Sequence, residues 1–569
     1  MVWHKRQLSL LQVFYYICKM IGQTIVNITI NHIRNRYGNN LSYANSILQA
    51  LRQLLPSSSY CFPTELFGES LFPETKDDGF QELLAKVNEK EDRRKKEGVY
   101  YTDRDATDFL AANTLIHYCC SNETKVIGVD KALKRIDSLT NAQKLSIVKA
   151  TVMDPTCGTG EFLLSVLYIK IRVFLSLGLN APEQLLNTLF GNDIASQSTD
   201  ITKLRVFFLL IDSLSEQESL TEMVNVLNRN FTNVDAVVYD GNTFGKKDIF
   251  IGNPPYVEYR VFDGKPQFEY GNVYADVLHH AVDNLESNGV MAFVIPLSFV
   301  STARMSGIRD YIQNHTDKQI VMNFADRPDC LFTSVHQKLT ILIAQKNSSY
   351  KGVLSSSYKY WYQAERGRLF DGISLVPTKN DNNTFWPKLG NRSEVALYNK
   401  FTAIKGKSIL DLSAGTVSGE PLYINKRGCF WMKVFAKDME SDSYGKYVVP
   451  IEWKPFIYCL LNSSLFFVLW IIISDGWHIT NKELGFIKIP HSLNDTQVWS
   501  TLMNRLEVRL EETKVYVNTK QVEYEYKHKE CKSIIDEIDD ELSKVYHLSS
   551  AQLNYVKTFS LKYRIGDGA

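Results

Sequence analysis

The chain has 569 residues, of which 44% are hydrophobic and 22% charged, a composition that buries large cores and excludes wholesale disorder. At about 100–200 residues per domain, this length suggests three or four structural units. Its 64 Lys and Arg against 63 Asp and Glu leave a net charge of +1, which excludes a histone-like binder held by bulk positive charge but not a local basic groove on a neutral protein.

Residues 1–95 read as a helical N-terminal segment without a chemical motif. The apolar stretch at its start is broken by Gln12, Lys19, Gln23 and Asn27, so neither a signal peptide nor a membrane span is expected there. A second apolar run, Leu465–Ile473, is about half the ~20 residues a spanning helix needs and reads as a buried helix or strand. The mixed-charge run Glu89–Glu97 reads as a solvated helix end or linker. Nine cysteines without a Cys-x-x-Cys pair argue against a zinc or full disulfide framework; reduced thiols in a cytoplasmic protein, with no metal, are the expectation.

Residues 96–350 alternate short β-rich runs with longer helical ones. The predicted strands are Ala150–Met153, Leu189–Asp193, Ala236–Asp240, Asp248–Gly252, Gly289–Pro296, Ile320–Phe324 and Leu339–Gln345, with helices such as Glu161–Leu177 and Ala195–Leu214 between them. Such alternation implies parallel pairing and a doubly wound α/β sheet. The last two strands lack a helical crossover, which suits an antiparallel edge pair. Residues 351–500, rich in aromatics, Ser, Gly and Asn, read as an irregular α+β domain, and residues 501–569 as a charged helical segment.

Three segments carry chemistry. Asp154-Pro155-Thr156-Cys157-Gly158-Thr159-Gly160 follows a strand and opens a helix. Gly158 and Gly160 let the backbone turn tightly and approach a ligand. The segment lacks both the phosphate-loop ending and the GxGxxG spacing. It suits a nucleoside with a charged amino-acid tail, such as S-adenosylmethionine, though a plain strand–helix turn fits it equally. Asp193, ending the next strand, is placed to accept hydrogen bonds from ribose hydroxyls; an ordinary strand-end Asp is the alternative. Asn253-Pro254-Pro255-Tyr256 follows the strand Asp248–Gly252. Its prolines fix the Asn amide and a backbone carbonyl together as two acceptors for a planar, conjugated amino group. Tyr256 offers a flat face beside them for a base.

Together DPTCGTGEFL and GNPPY resemble the amino-methylating DNA methyltransferases, and the order of the supporting segments resembles the gamma-class N6-adenine enzymes of the TaqI-like type. The resemblance covers residues 98–350 well and 400–550 loosely. It implies S-adenosylmethionine as cofactor, double-stranded DNA as partner and an adenine flipped out of the duplex, with Asn253, Pro254, Pro255 and Tyr256 as the catalytic turn. Gly98–Thr102 resembles the family's G-x-Y-Y-T-P segment, which implies that Tyr101 and Thr102 hold the cofactor's methionine tail; Asp103 stands where the family has Pro. Asp240, in Tyr239-Asp240-Gly241, is implied at the cofactor's adenine, beside Asp154, Thr156, Gly158, Gly160 and Asp193 around the rest of it. Phe332 is implied as an aromatic on the second face of the flipped base.

Residues 351–500 are implied to be the target-recognition domain, where Lys426 and Arg427 beside Phe430 and Trp431 form a basic–aromatic cluster able to reach DNA. A surface turn over core aromatics is the alternative reading. Restriction-modification or phage defence, with a cognate endonuclease or defence-complex subunits as further partners, is the implied setting. Cytosine-N4 methylation, glutamine methylation of protein, and a DNA-binding subunit of a larger defence complex are the competing readings.

Overall fold

The computed structural model describes residues 2–57, 59–66, 80–87, 102–213, 220–237, 244–262, 264, 266–332, 336–378, 384–414, 418–490, 496–517 and 523–566, with 2–19, 85, 87 and 414 by backbone alone. Strands β1 (Val152–Asp154), β2 (Leu189–Asn192), β3 (Phe231–Thr232), β4 (Lys247–Gly252), β5 (Leu285–Pro296), β6 (Lys318–Phe324), β7 (Leu339–Gln345), β8 (Gly352–Lys359) and β9 (Val376–Thr378) form one sheet in the order β3-β2-β1-β4-β5-β7-β6-β8-β9. The run from β3 through β5 is parallel. Strand β7 is antiparallel to both β5 and β6. This is a doubly wound, mostly parallel α/β sheet with one antiparallel strand inside it.

Every residue of β6 and β7 is buried, as expected of strands covered on both faces. The helix Glu161–Ser176 packs over β1, β2 and β4, and Arg104–Cys119 packs over β4, β5 and β7. The N-terminal helices Val2–Tyr37 and Phe80–Val87 buttress the helix Ser196–Ile211, while Leu41–Leu54 packs on Leu220–Asn230. There His32 stacks on Phe80 at 3.9 Å and meets Phe208 edge-on at 4.9 Å, and the Tyr37 hydroxyl donates to Asp212.

Three sequence expectations change. The β6–β7 pair is antiparallel as expected but lies inside the sheet, because β8 pairs with β6 and β9 with β8. The sheet therefore continues past residue 350, the expected domain boundary, to Thr378. No strand forms at Ala236–Val237, the described part of a predicted strand; the outer strand is β3 instead. Tyr239, Asp240 and the charged run Glu89–Glu97 lie outside the described residues.

Beyond the sheet lies a second unit. Its strands β10 (Glu420–Asn425), β11 (Val434–Phe435) and β12 (Tyr444–Val449) form an antiparallel sheet in the order β11-β10-β12. Around it pack the helices Lys454–Asn462, Ser464–Ile473, Thr496–Thr513 and Lys532–Val545. The apolar run Leu465–Ile473 is wholly buried within one of these helices. Among the described residues no single helix is long and apolar enough to cross a membrane.

Lys388 anchors the chain entering this unit. It is 1% exposed, and its Nζ donates to the carbonyls of Ile472 (3.2 Å) and Ser474 (2.5 Å). Burial holds its ammonium well below the ordinary lysine value. Lys388→Met is expected to strip the Ser474 carbonyl of this donor, at about 1–3 kcal/mol, while the Ile472 carbonyl keeps the Lys388 backbone N–H at 2.9 Å. Urea denaturation monitored by tryptophan fluorescence would show the loss, and an unchanged midpoint would contradict it.

Candidate active site

The parallel register of β1 with β4 sets two turns side by side at one sheet edge. Strand β1 ends at Asp154, and β4 ends at Gly252, just before Asn253. A Cβ at Gly252 would stand 2.5 Å from Asp154 Oδ1, so only glycine lets the carboxyl lie across the start of the Asn253 turn.

Asp154 is 1% exposed. Its Oδ1 accepts from the Thr156 N–H at 3.0 Å. Its Oδ2 and the Thr156 Oγ1 are buried without a partner. Burial, against the pull of the Thr156 N–H and reinforced by the charge of Asp193, pushes the Asp154 carboxyl well above the usual carboxylate range.

Gly158 and Gly160 sit at φ +53° and +92°. An added Cβ at Gly158 would meet nothing within 4 Å, so the turn borders open space. Unpartnered polar atoms beside an open glycine turn fit a bound nucleoside with a polar tail.

Asp193 helps to build this turn. Its Oδ2 accepts from the Gly158 N–H and its Oδ1 from the Ala195 N–H, both at 2.9 Å. Thr202 Oγ1 donates to the Gly158 carbonyl at 2.8 Å. Arg205 donates to the Thr159 carbonyl at 2.6 Å and pairs with Glu161. Gln81, on an N-terminal helix, accepts from Arg205 Nε at 3.1 Å. The Cys157 thiol is buried, and burial, reinforced by the charges of Asp154 and Asp193, pushes its pKa well above the ordinary thiol value, which disfavours the thiolate.

The turn Asn253–Tyr256 is joined to the expected cofactor segment. Asn253 Nδ2 donates to Thr102 Oγ1 at 3.2 Å. The Tyr256 hydroxyl donates to Asn253 Oδ1 and lies 3.0 Å from the Val294 carbonyl on β5. Its half-buried ring meets Tyr274 edge-on at 6.4 Å. Pro254 is buried and Pro255 half-buried.

Asp103 has φ −60° and ψ 141°, a backbone conformation that proline would also fix. The carboxylate gains a partner instead: Arg366 lies 3.2 Å from Asp103 and 2.8 Å from Asp105. The same guanidinium donates to the carbonyls of Cys330 (3.2 Å) and Leu331 (2.9 Å).

The structure thus brings together Thr102, Asp154, Thr156, Gly158, Gly160, Asp193 and the turn from Asn253 to Tyr256. Tyr101 and Asp240 lie outside the described residues. Phe332 is 0% exposed and belongs to the core, so contact with a base requires its segment to move. Lys426 and Arg427 are exposed, but their expected aromatic partner is engaged elsewhere. The Trp431 ring lies under Arg564 at 4.1 Å, and its Nε1 donates to the Arg564 carbonyl. Sequence reasoning missed Gln81, Arg205 and Arg366, whose partners are remote in sequence.

The fold and these turns define an open α/β sheet with a crevice at the carboxyl ends of β1 and β4. Residues 187–330 match the family model described as Eco57I restriction-modification methylase. No curated protein sequence matches the chain. Among solved structures, the chain is similar to the Type IIL restriction-modification enzyme MmeI in complex with DNA. The TM-score is 0.55 at 12% identity, covering 96% of this chain and 98% of that one, a likeness of fold. It also matches the DrdV–DNA complex, with TM-score 0.42 and 16% identity over 62% of this chain and 38% of that one. The type IIG restriction endonuclease BpuSI matches with TM-score 0.41 and 13% identity, over 94% and 78%. The chain therefore spans under two fifths of the DrdV chain.

A carboxyl whose proton is held more tightly in the folded chain adds stability that is complete below the unfolded value near pH ~4. That stability is lost as pH rises through the raised folded value. Asp154→Asn stays neutral at every pH. Its melting temperature, measured without ligand, is expected to gain on the wild type as pH rises; a gap independent of pH would contradict a raised Asp154.

Proposed function

We propose that this protein is a site-specific DNA methyltransferase that transfers the methyl group of S-adenosylmethionine to N6 of an adenine flipped out of duplex DNA. The observation that carries this reading is the Asn253-Pro254-Pro255-Tyr256 turn at the carboxyl end of β4, set against the Asp154 glycine turn of β1 and bonded through Asn253 to Thr102. The likeness of residues 187–330 to restriction-modification methylases supports it. So does a fold shared with MmeI, which was solved on DNA.

Bound S-adenosylmethionine supplies an electrophilic methyl on a sulfonium. Thr102, Asp154, Thr156, Gly158, Gly160 and Asp193 would hold it, with Tyr101 and Asp240 completing the set. Asn253 Oδ1 and the Pro254 carbonyl accept the two N6 hydrogens. That draws the nitrogen toward a pyramidal form whose lone pair is less delocalised into the ring, and it aligns N6 for direct transfer. The new N6–methyl bond would form as the methyl–sulfur bond breaks, leaving a neutral thioether, and one N6 proton would pass to water; no covalent enzyme intermediate is needed.

Tyr256 has two tasks. Without DNA its hydroxyl occupies the acceptor Asn253 Oδ1, so the amide is satisfied at both ends. When the base enters, the hydroxyl gives up that acceptor and the ring stacks on the base, at ~1–3 kcal/mol per contact, offsetting the cost of extrusion. Restriction-modification or phage defence is the setting this implies, with double-stranded DNA and a cognate endonuclease or defence-complex subunits as partners.

Incubation with labelled S-adenosylmethionine and genomic DNA, followed by base-resolution mapping, is expected to give N6-methyladenine that an Asn253→Ala control lacks. No modification above that control would sink the reading, and N4-methylcytosine would move it to cytosine. Tyr256→Ala is expected to lower turnover by roughly 5- to 150-fold, the equivalent of one stacking contact, with unchanged affinity for S-adenosylmethionine. Tyr256→Phe, which keeps the ring, is expected to retain most turnover. An equal loss of cofactor binding in Tyr256→Ala would count against stacking.

A further inference from the structure

Three cations from three separate chain segments converge on the ring of Trp477. Lys338 Nζ lies 4.6 Å from the ring centroid, and the guanidinium carbons of Arg327 and Arg427 lie 5.7 and 5.8 Å away. Arg327 follows β6 and Lys338 immediately precedes β7, both in the sheet unit. Arg427 and Trp477 belong to the second unit. There the Gly428 N–H donates to the Trp477 carbonyl at 2.7 Å, and the Ile479 N–H to the Lys426 carbonyl at 2.9 Å.

The acidic groups nearby are Asp326 and Asp475. Asp326 pairs with Lys338 at 2.9 Å, and Asp475 with His478 at 2.7 Å. Arg327 and Arg427 are exposed and have no carboxylate partner among the described residues. Two such guanidinium groups beside one ring repel each other unless an anion joins them. A guanidinium held against an aromatic face keeps its N–H edge free, and that edge matches a phosphate bidentately. Lys426, by contrast, donates to the Asp442 carbonyl at 2.9 Å.

The cluster stands on the same sheet edge as the catalytic turn. Gly252 pairs with Phe293, Pro296 with Leu339, and Leu339 with Phe324. The carboxyl ends of β4, β5 and β6 are thereby aligned with the start of β7. The Leu297 N–H donates to the Lys338 carbonyl at 2.9 Å. Strands β7 and β6 lie two and three places from β4, which at ~4.8 Å per strand is about 10–15 Å. That is the length of roughly three or four base pairs.

We propose that Arg327 and Arg427, positioned by Trp477 and backed by Lys338, clamp a DNA backbone phosphate flanking the target base, across the seam between the two units. The proposal rests on the reading of the chain as a DNA methyltransferase. It goes beyond that reading by naming a contact whose two halves come from different units.

The test uses the full chain and its Arg327→Gln, Arg427→Gln and double variants. Binding of a fluorescent mixed-sequence DNA duplex is followed over a salt series, with affinity for S-adenosylmethionine measured in parallel. The slope of log K against log salt is expected to flatten by about 0.9 in the double variant, the value for one phosphate contact, and by no more than that in either single variant, with cofactor affinity unchanged. Trp477→Ala is expected to weaken duplex binding although no charge is lost, and Trp477→Phe to restore part of it.

A wild type that methylates DNA while the double variant keeps the wild-type slope overturns the clamp alone. A wild type that neither binds duplex nor transfers a methyl group overturns the methyltransferase reading first. Displacement of the duplex by inorganic phosphate at matched ionic strength would overturn a backbone contact in favour of a free-phosphate site.

Discussion

The parallel pairing of β1 with β4 is the constraint on which the site depends. It marks the place where strand order reverses, with β2 and β3 on one side and β5 on the other. In open α/β sheets a crevice forms there beyond the carboxyl ends of the strands. Here the crevice is made shallow enough by one missing methyl group: Asp154 occupies the space a Gly252 side chain would fill. A carboxyl, a glycine turn and an amide acceptor are thereby held by backbone pairing rather than by flexible loops, which is the stiffness that transition-state alignment requires.

The N-terminal helices take part in this arrangement from behind. Gln81 contacts Arg205, and Arg205 holds the Thr159 carbonyl and Glu161. A segment with no chemical motif of its own thus steadies the turn that carries Gly158 and Gly160. Its stacked His32–Phe80 pair and the Tyr37–Asp212 bond fix it to the helix Ser196–Ile211.

Much of this was legible in the sequence, for a physical reason. Strand β7 matched its predicted range residue for residue, because a strand buried on both faces is apolar over most of its length. The two turns were legible because glycine and proline act locally on φ and ψ. The extent of the sheet was not, since β8, Gly352–Lys359, carries three serines in a row that a sequence pattern assigns to a loop. They are tolerated because their hydroxyls find partners, as Ser357 does with Glu394 and Ser356 with the Asn323 N–H. The binding partner of Arg427 was misassigned for a related reason. Phe430 and Trp431 are near in sequence, whereas Trp477 reaches Arg427 through an isolated bridge with its neighbour His478. Asp103 looked like a flaw in the motif because its counterpart, Arg366, lies 263 residues away.

Arg366 also joins two regions that no strand connects. One edge of its guanidinium holds Asp103 and Asp105 beside Thr102, and its other contacts are the carbonyls of Cys330 and Leu331, which lead into Phe332. Thr102 is on the expected cofactor side of the crevice and Phe332 on the expected base side. A single cation shared between them makes their ordering one event rather than two. Under thermodynamic reciprocity, any ligand that tightens this joint from one side raises affinity on the other by the same factor that it receives in return. The structure thus links these two sides of the crevice through one side chain.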